Sequence, residues 1–137
     1  MRNQKCKINN LHIPNHCDRS LAMLTSKVFC GSFNSTGTRF ATGSQDQVVR
    51  IFDSSTPNYH HVNYINARHV SWCLLDIAFS PCDQYFAYST WSDCLHICPV
   101  DGNDGDVKCL NLNTSVNRFG AFALAFSQNG KEIICGG

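Results

Sequence analysis

The sequence predicts an all-β fold built from repeated units of about four short strands. The first observation is a repeat, because Phe33, Phe79 and Phe126 are spaced 46 and 47 residues apart. The second is that four turn-forming residues follow each of them, NSTG, SPCD and SQNG. The third is that Val, Ile, Phe and Tyr fill the intervening segments, which show almost no helical period.

The repeat length lies near the range that is typical of β-propeller blades, each of which is a four-stranded sheet. In the first unit, strands are predicted near 28–33, 38–43, 47–52 and 59–65. In the second unit, they are predicted near 73–79, 85–90, 94–99 and 107–112. The third unit supplies strands near 121–126 and 132–136. The pattern therefore predicts a β-propeller fragment of about two and a half four-stranded blades.

The turn after each first strand ends in Gly37, Asp83 or Gly130, residue types that tolerate a left-handed backbone. This position closes a tight hairpin turn between the first and second strands of a blade. We therefore expect the same turn geometry in all three units.

The repeat also divides the chain. Residues 1–27 have no clear period and form a leader segment, and the first blade is expected over 28–66. The second blade is expected over 67–118, and 119–137 begins a third. We expect a truncated gene product, or part of a propeller of roughly 300 residues, because terminal blade faces left open to water would be unstable.

Composition excludes several classes. The 137 residues are 43% hydrophobic and 15% charged, which is globular composition, and the formal net charge of +1 gives no electrostatic case for nucleic acid or an anionic membrane. The sequence contains neither a long apolar run nor a signal-peptide pattern, so we expect the cytoplasm, the nucleus or both. The nine cysteines are then reduced thiols, most of them packed as small hydrophobic residues.

Metal and catalytic sites are disfavoured. Cys94 and Cys98 are expected on one face of a strand with His96 on the other, which suits packed thiols better than a shared metal. In the leader, His12, His16 and Cys17 would converge only on a helix, and the surrounding turn formers argue against one. No catalytic signature surrounds any cysteine, so we expect neither an enzyme nor a cofactor.

The stretch GSQDQVVRIFD, from Gly43 to Asp53, resembles the ending of a WD repeat, with Phe52 where tryptophan is usual. The resemblance implies a hydrogen-bonded tetrad, of which Thr42 and Asp46 match two positions. Phe52 cannot donate an indole N–H, so this tetrad is incomplete. In the second unit, His69 is near its expected place, but Tyr88 and Cys98 replace the usual Ser and Trp, and Asp93 comes one residue late. These blades should therefore rely on packing more than on a buried polar network.

Three longer segments of the sequence resemble one particular group of WD-repeat proteins. VFCGSFNSTGTRFATGSQDQVVRIFD, INARHVSWCLLDIAFSP and FAYSTWSDCLHIC are similar to WD-repeat substrate receptors of cullin-4 RING ubiquitin ligases, over about 28–137. The resemblance implies a propeller of about seven blades that binds the ligase adaptor and cullin-4 complex. It also implies protein substrates such as cap'n'collar transcription factors. The adaptor-binding Asp-x-Arg box of such receptors is replaced by Asp53-Ser54-Ser55, so the alternative is a WD-repeat scaffold unrelated to ubiquitin.

Partners of WD domains commonly bind at one rim, through turns between second and third strands and through residues before first strands. The matching residues here are Gln45, Arg68, His69, Trp72, Trp91 and Ser92. Arg and Trp dominate binding energy at protein interfaces. The alternative for Trp91 is that it folds over its own blade, and Trp72 is expected in the core.

Overall fold

The computed structural model describes residues 17, 20–21, 25–67, 72–112 and 120–137. These residues form ten strands in three antiparallel sheets, and the single short 3-10 helix among them is Asp104–Asp106. No helix in this part of the chain is long and apolar enough to cross a membrane.

Each of the first two sheets has four strands in sequential order, as a propeller blade requires. The first blade consists of β1 (Val28–Phe33), β2 (Arg39–Ser44), β3 (Val48–Asp53) and β4 (His60–Asn66). The second blade consists of β5 (Leu74–Phe79), β6 (Tyr85–Thr90), β7 (Cys94–Pro99) and β8 (Lys108–Asn111). A third sheet pairs β9 (Ala123–Phe126) with β10 (Ile133–Gly136). The predicted all-β blade architecture is therefore confirmed.

The three turns between first and second strands have the same geometry, as their sequences predict. Gly37, Asp83 and Gly130 adopt left-handed backbone angles, with φ of 71°, 58° and 69°. In each turn, the N–H of this fourth residue donates to the carbonyl of the first, at 2.9 to 3.1 Å. Repetition of the turn explains the regular strand spacing.

The core lies between the first and second blades, where β1 and β2 pack on β5. Ala41, Val49, Ile51 and Ile65 contribute its first-blade side, and the second-blade side includes Leu74, Ile77, Phe86, Tyr88 and Cys98. Gly43 marks the closest approach. A Cβ at that position would lie 3.0 Å from Leu74 Cβ, so any larger residue would push the blades apart.

Polar contacts also join neighbouring blades. The carboxylate of Asp83 accepts from the Ser35 backbone N–H at 2.9 Å and from the Ser35 and Thr36 hydroxyls, both at 3.0 Å. Between the second blade and the third sheet, the Asp76 carboxylate accepts from the Leu124 N–H at 2.7 Å. Each blade is thereby fixed to the next by backbone as well as by side chains.

Two expectations about the thiols were wrong. None of the eight described cysteines forms a disulfide with another of them, and only Cys73 and Cys98 are buried. His96 lies on the same strand face as Cys98, because residues two apart on a strand share a face; its ring is stacked on Tyr88 at 4.8 Å. In residues 25–67, 72–112 and 120–137, no three His, Cys, Asp or Glu side chains are grouped to hold a metal.

Candidate protein-binding rim

Strand direction places the candidate residues at one end of the sheets. Because consecutive strands are antiparallel, the turns 45–47 and 91–93 share an end with the residues just before β5 and β9. We call this end the first rim. The turns 34–37, 80–83 and 127–130 lie at the opposite end, the second rim. Arg68 and His69 fall outside the described residues.

In the turn 45–47, Asp46 serves its own hairpin. Its carboxylate pairs with Arg50, at 2.6 Å between Oδ2 and Nη2, and accepts from the Val48 N–H at 3.3 Å. The hydrogen bond from Arg50 lowers the pKa of Asp46 below its usual value. Thr42 lies opposite Arg50 in the register of β2 and β3. Gln45 is exposed beside this neutralised pair, so the turn presents little net charge.

The third strand of the first blade ends in two residues that stabilise the sheet. Phe52 is only 5% exposed and meets His61 edge to face, with 5.5 Å between ring centroids. Asp53 pairs with Arg39 at 3.0 Å and accepts from the Ser55 hydroxyl and N–H, and these bonds from Ser55 lower its pKa. Phe52 therefore contributes packing alone, whereas a tryptophan at this position of the tetrad would also donate a hydrogen bond from its indole N–H.

The turn 91–93 is closed by Ser92. Its N–H donates to the Thr90 carbonyl at 2.7 Å, and the hydroxyls of Ser92 and Thr90 are 2.8 Å apart. Asp93 makes a different contact from Asp46. Its backbone carbonyl accepts from the Leu112 N–H at 2.8 Å and so connects the turn to the end of β8. This compact turn leaves the large side chain of Trp91 at the surface.

Trp91 packs against the third sheet. It is 51% exposed, and its ring meets Phe122 edge to face, with centroids 5.1 Å apart and planes at 84°. Phe122 directly precedes β9 and is also half exposed. Trp91 thus bridges two neighbouring sheets and still presents much of its surface to solvent.

Trp72 is not in the core, and that expectation was wrong. It is 56% exposed, with its ring 6.3 Å from that of Phe29. The reason is position: Trp72 lies on the first rim before β5 begins, and Cys73 and Leu74 occupy the buried places next to it.

Sequence reasoning missed Phe29 and Phe122. The repeat contained a signal for them, because Phe29 comes four residues before Phe33 and Phe122 comes four residues before Phe126. Their repeat-equivalent position in the second blade is Leu75. The first rim therefore carries two exposed aromatic pairs, Phe29–Trp72 and Trp91–Phe122, each between neighbouring sheets.

Comparison with known proteins agrees with this architecture. The family model for the WD domain, G-beta repeat, matches residues 15–53. The chain is 25% identical over 141 residues to a DDB1- and CUL4-associated factor 11 homolog of Caenorhabditis elegans, covering 95% of this chain and 24% of that protein. It is 27% identical over 143 residues to the LEC14B protein of Lithospermum erythrorhizon, covering 96% of this chain and 30% of that protein.

The chain thus spans less than a third of the length of these curated relatives. The matched repeat covers β1 to β3, whose turn and third strand carry the GSQDQVVRIFD stretch. The second blade repeats the same strand order and turn geometry. The chain therefore contains a WD repeat at residues 15–53, followed by a second sheet of the same architecture.

Proposed function

We propose that this chain is part of a non-catalytic substrate receptor of a cullin-4 RING ubiquitin ligase, with the first rim as its protein-binding surface. The observation that carries the binding surface is the two aromatic pairs, which are half exposed and lie at one end of the sheets. A receptor of this kind would direct bound proteins to ubiquitination and proteasomal degradation.

The chemistry of the first rim suits a protein partner. Aromatic side chains supply large contact areas, and Trp is among the residues that most often dominate binding energy. The carboxylate of the turn 45–47, that of Asp46, is already paired with Arg50. A partner can therefore cover this turn without stranding that charge away from water. Gln45 and Ser92 would supply the polar margin of such an interface.

The link to ubiquitin rests on similarity. The nematode relative is named as associated with DDB1 and CUL4, and the sequence resembles cullin-4 substrate receptors. We extend the same association to this protein and place it in the cytoplasm, the nucleus or both, with substrates such as cap'n'collar transcription factors. Because Asp53-Ser54-Ser55 lacks the arginine of an Asp-x-Arg box, we propose that adaptor binding uses other repeats of the full-length gene product.

The blade boundaries remain part of this proposal. We assign a leader to 1–27, the first blade to 28–66, the second to 67–118 and the start of a third to 119–137. Substrate binding would then involve the rim of all three units, with the two aromatic pairs at their junctions.

Affinity purification of the full-length gene product tests the ligase assignment. We expect the ligase adaptor and cullin-4 to co-purify, at recovery unchanged by Trp91→Ala, because the first rim is assigned to substrate. If the purified protein carries stable partners but neither adaptor nor cullin-4, the alternative function as a scaffold unrelated to ubiquitin is the correct one.

A further inference from the structure

Two cysteine thiols lie on the neighbouring strands β7 and β8 of the second blade. In the register of β7 and β8, Cys94 lies opposite Asn111 and Cys109 lies opposite His96. Cys94 and Cys109 are therefore diagonal neighbours on one face of the sheet, where Cα atoms are typically about 7–8 Å apart and Cβ atoms somewhat closer. The neighbouring Cys94 side chain contributes to the raised pKa of the Cys109 thiol.

Both thiols can be reached from solvent. Cys109 is exposed and Cys94 is partly exposed, in contrast to Cys98, which lies buried on the same strand as Cys94. Cys109 is on β8, the outermost strand of its sheet, where all four residues are exposed. An edge strand of this kind can shift by a small distance more easily than a strand paired on both sides.

We propose that Cys94 and Cys109 form an oxidisable pair that closes to an intramolecular disulfide between β7 and β8. The oxidant we assign is hydrogen peroxide. The Cys94 thiol releases its proton and its sulfur attacks one peroxide oxygen; the O–O bond breaks, the displaced hydroxide takes up a proton and leaves as water, and Cys94 becomes a sulfenic acid. The sulfur of Cys109 then attacks the Cys94 sulfur, the S–O bond breaks, and the Cys109 proton leaves with the hydroxide as a second water.

The raised pKa of Cys109 sets the order of these steps. Partial burial of its thiol and the neighbouring Cys94 side chain raise the pKa of Cys109 to about 11, so Cys109 keeps its proton at neutral pH. We therefore assign the first step to Cys94 and the resolving step to Cys109.

The disulfide would lie directly below the turn that presents Trp91. The backbone N–H of Cys94 donates to the Ser92 hydroxyl at 3.4 Å. The N–H of Leu112, which follows β8, donates to the backbone carbonyl of Asp93 in the turn. A covalent bond between β7 and β8 at this level fixes the strand that follows the turn to its outer neighbour. Oxidation of the Cys94–Cys109 pair would therefore make the turn that carries Trp91 more rigid, although neither cysteine belongs to the first rim.

Peptide mapping of the full-length gene product after brief treatment with dilute hydrogen peroxide tests this inference. Trypsin cleaves after Lys108 and Arg118, so Cys109 falls alone in the peptide 109–118. A second cleavage before Asp93 and Asp101 leaves only Cys94 and Cys98 in the peptide 93–100. We expect these two peptides to become linked with loss of two hydrogens, the fragment spectrum to place the link on Cys94, and a reductant to reverse it.

Variants supply the controls. Cys94→Ser and Cys109→Ser should each abolish the linked peptide, and Cys135→Ser, on β10, should leave it unchanged. The proposal is overturned if the untreated pattern of free thiols persists in the folded wild-type protein. It is also overturned if Cys109 links to another cysteine, or if Cys94 proceeds to sulfinic acid without the link.

Discussion

The ring of Trp91 stands nearly perpendicular to the ring of Phe122, with 84° between their planes and 5.1 Å between their centroids. This contact joins a hairpin turn of the second blade to the residue before the first strand of the third sheet. Since each ring is half exposed, the pair both connects two sheets and presents an aromatic surface.

Replacing Trp91 with alanine should therefore cost little stability. Loss of a half-exposed aromatic pair is expected to lower the free energy of unfolding by about 1 kcal/mol, as measured by chemical denaturation of the full-length gene product. Tyr64→Ala, at an exposed residue on the outer strand β4, is the matched control. A loss of about 3–5 kcal/mol would be typical of a core residue and would show that Trp91 is not available to partners.

A methyl group at Gly43 should separate the first two blades. The added Cβ would lie 2.6 Å from Cys30 Sγ and 3.0 Å from Leu74 Cβ, and the latter atom cannot move without its backbone. We expect Gly43→Ala to lower the free energy of unfolding by about 1–3 kcal/mol. Gly136→Ala, where a Cβ would meet no atom within 4 Å, should change it little. Equal effects of the two variants would contradict the close approach of the blades.

The contact of Asp83 with Ser35 and Thr36 should make stability depend on pH. Burial opposes ionisation of Asp83, but the hydrogen bonds from Ser35 and Thr36 outweigh it and lower its pKa. A lowered folded-state pKa stabilises the protein above the unfolded-state value, near about 3.9 for Asp, and the benefit is lost as the pH falls through the folded value.

Asp83→Asn keeps the left-handed turn but removes the charge. We expect it to lower the free energy of unfolding by about 1 kcal/mol at pH 7, a value that allows for solvent screening of this exposed site. The difference from wild type should begin to shrink below about pH 4 and close as the pH falls through the lowered folded-state pKa. Denaturation curves at several pH values measure it, and a difference that stays constant down to pH 2 would exclude the carboxylate as the cause.

Packing should outweigh the turn carboxylate that WD repeats use in their tetrad. Leu74 is fully buried between the blades, so Leu74→Ala should cost about 2–5 kcal/mol. Asp46→Asn should cost about 1 kcal/mol or less, because Asp46 pairs with Arg50 and accepts from the Val48 N–H, both within its own hairpin. If denaturation gave the larger loss for Asp46→Asn, a buried polar network would have to hold the blade together.

The strands were predictable because their signals are local. Period-two apolar patterns and turn residues at Gly37, Asp83 and Gly130 depend on neighbours in sequence, and the observed strands begin and end within two residues of the predicted bounds. The contacts between blades were not predictable in this way. The bond from Ser35 to Asp83 joins residues 48 apart, and nothing near Trp72 in sequence shows that it lies beyond the end of the core.

The candidate rim shows the same division. Gln45, Trp91 and Ser92 were proposed from their place in repeated turns, and as binding residues they stay predictions. Phe29 and Phe122 were missed because each acquires its importance from an aromatic partner in another blade.

The central claim is that the first rim binds protein substrate, and quantitative affinity purification of matched variants tests it most directly. The full-length gene product carrying both Trp72→Ala and Trp91→Ala is compared with wild type and with Tyr64→Ala, after each is shown to fold. We predict that the double variant weakens substrate binding by about 2 kcal/mol or more, roughly a thirtyfold loss, while Tyr64→Ala retains it and adaptor recovery is unchanged. Undiminished substrate recovery by the folded double variant would contradict the assignment of the first rim.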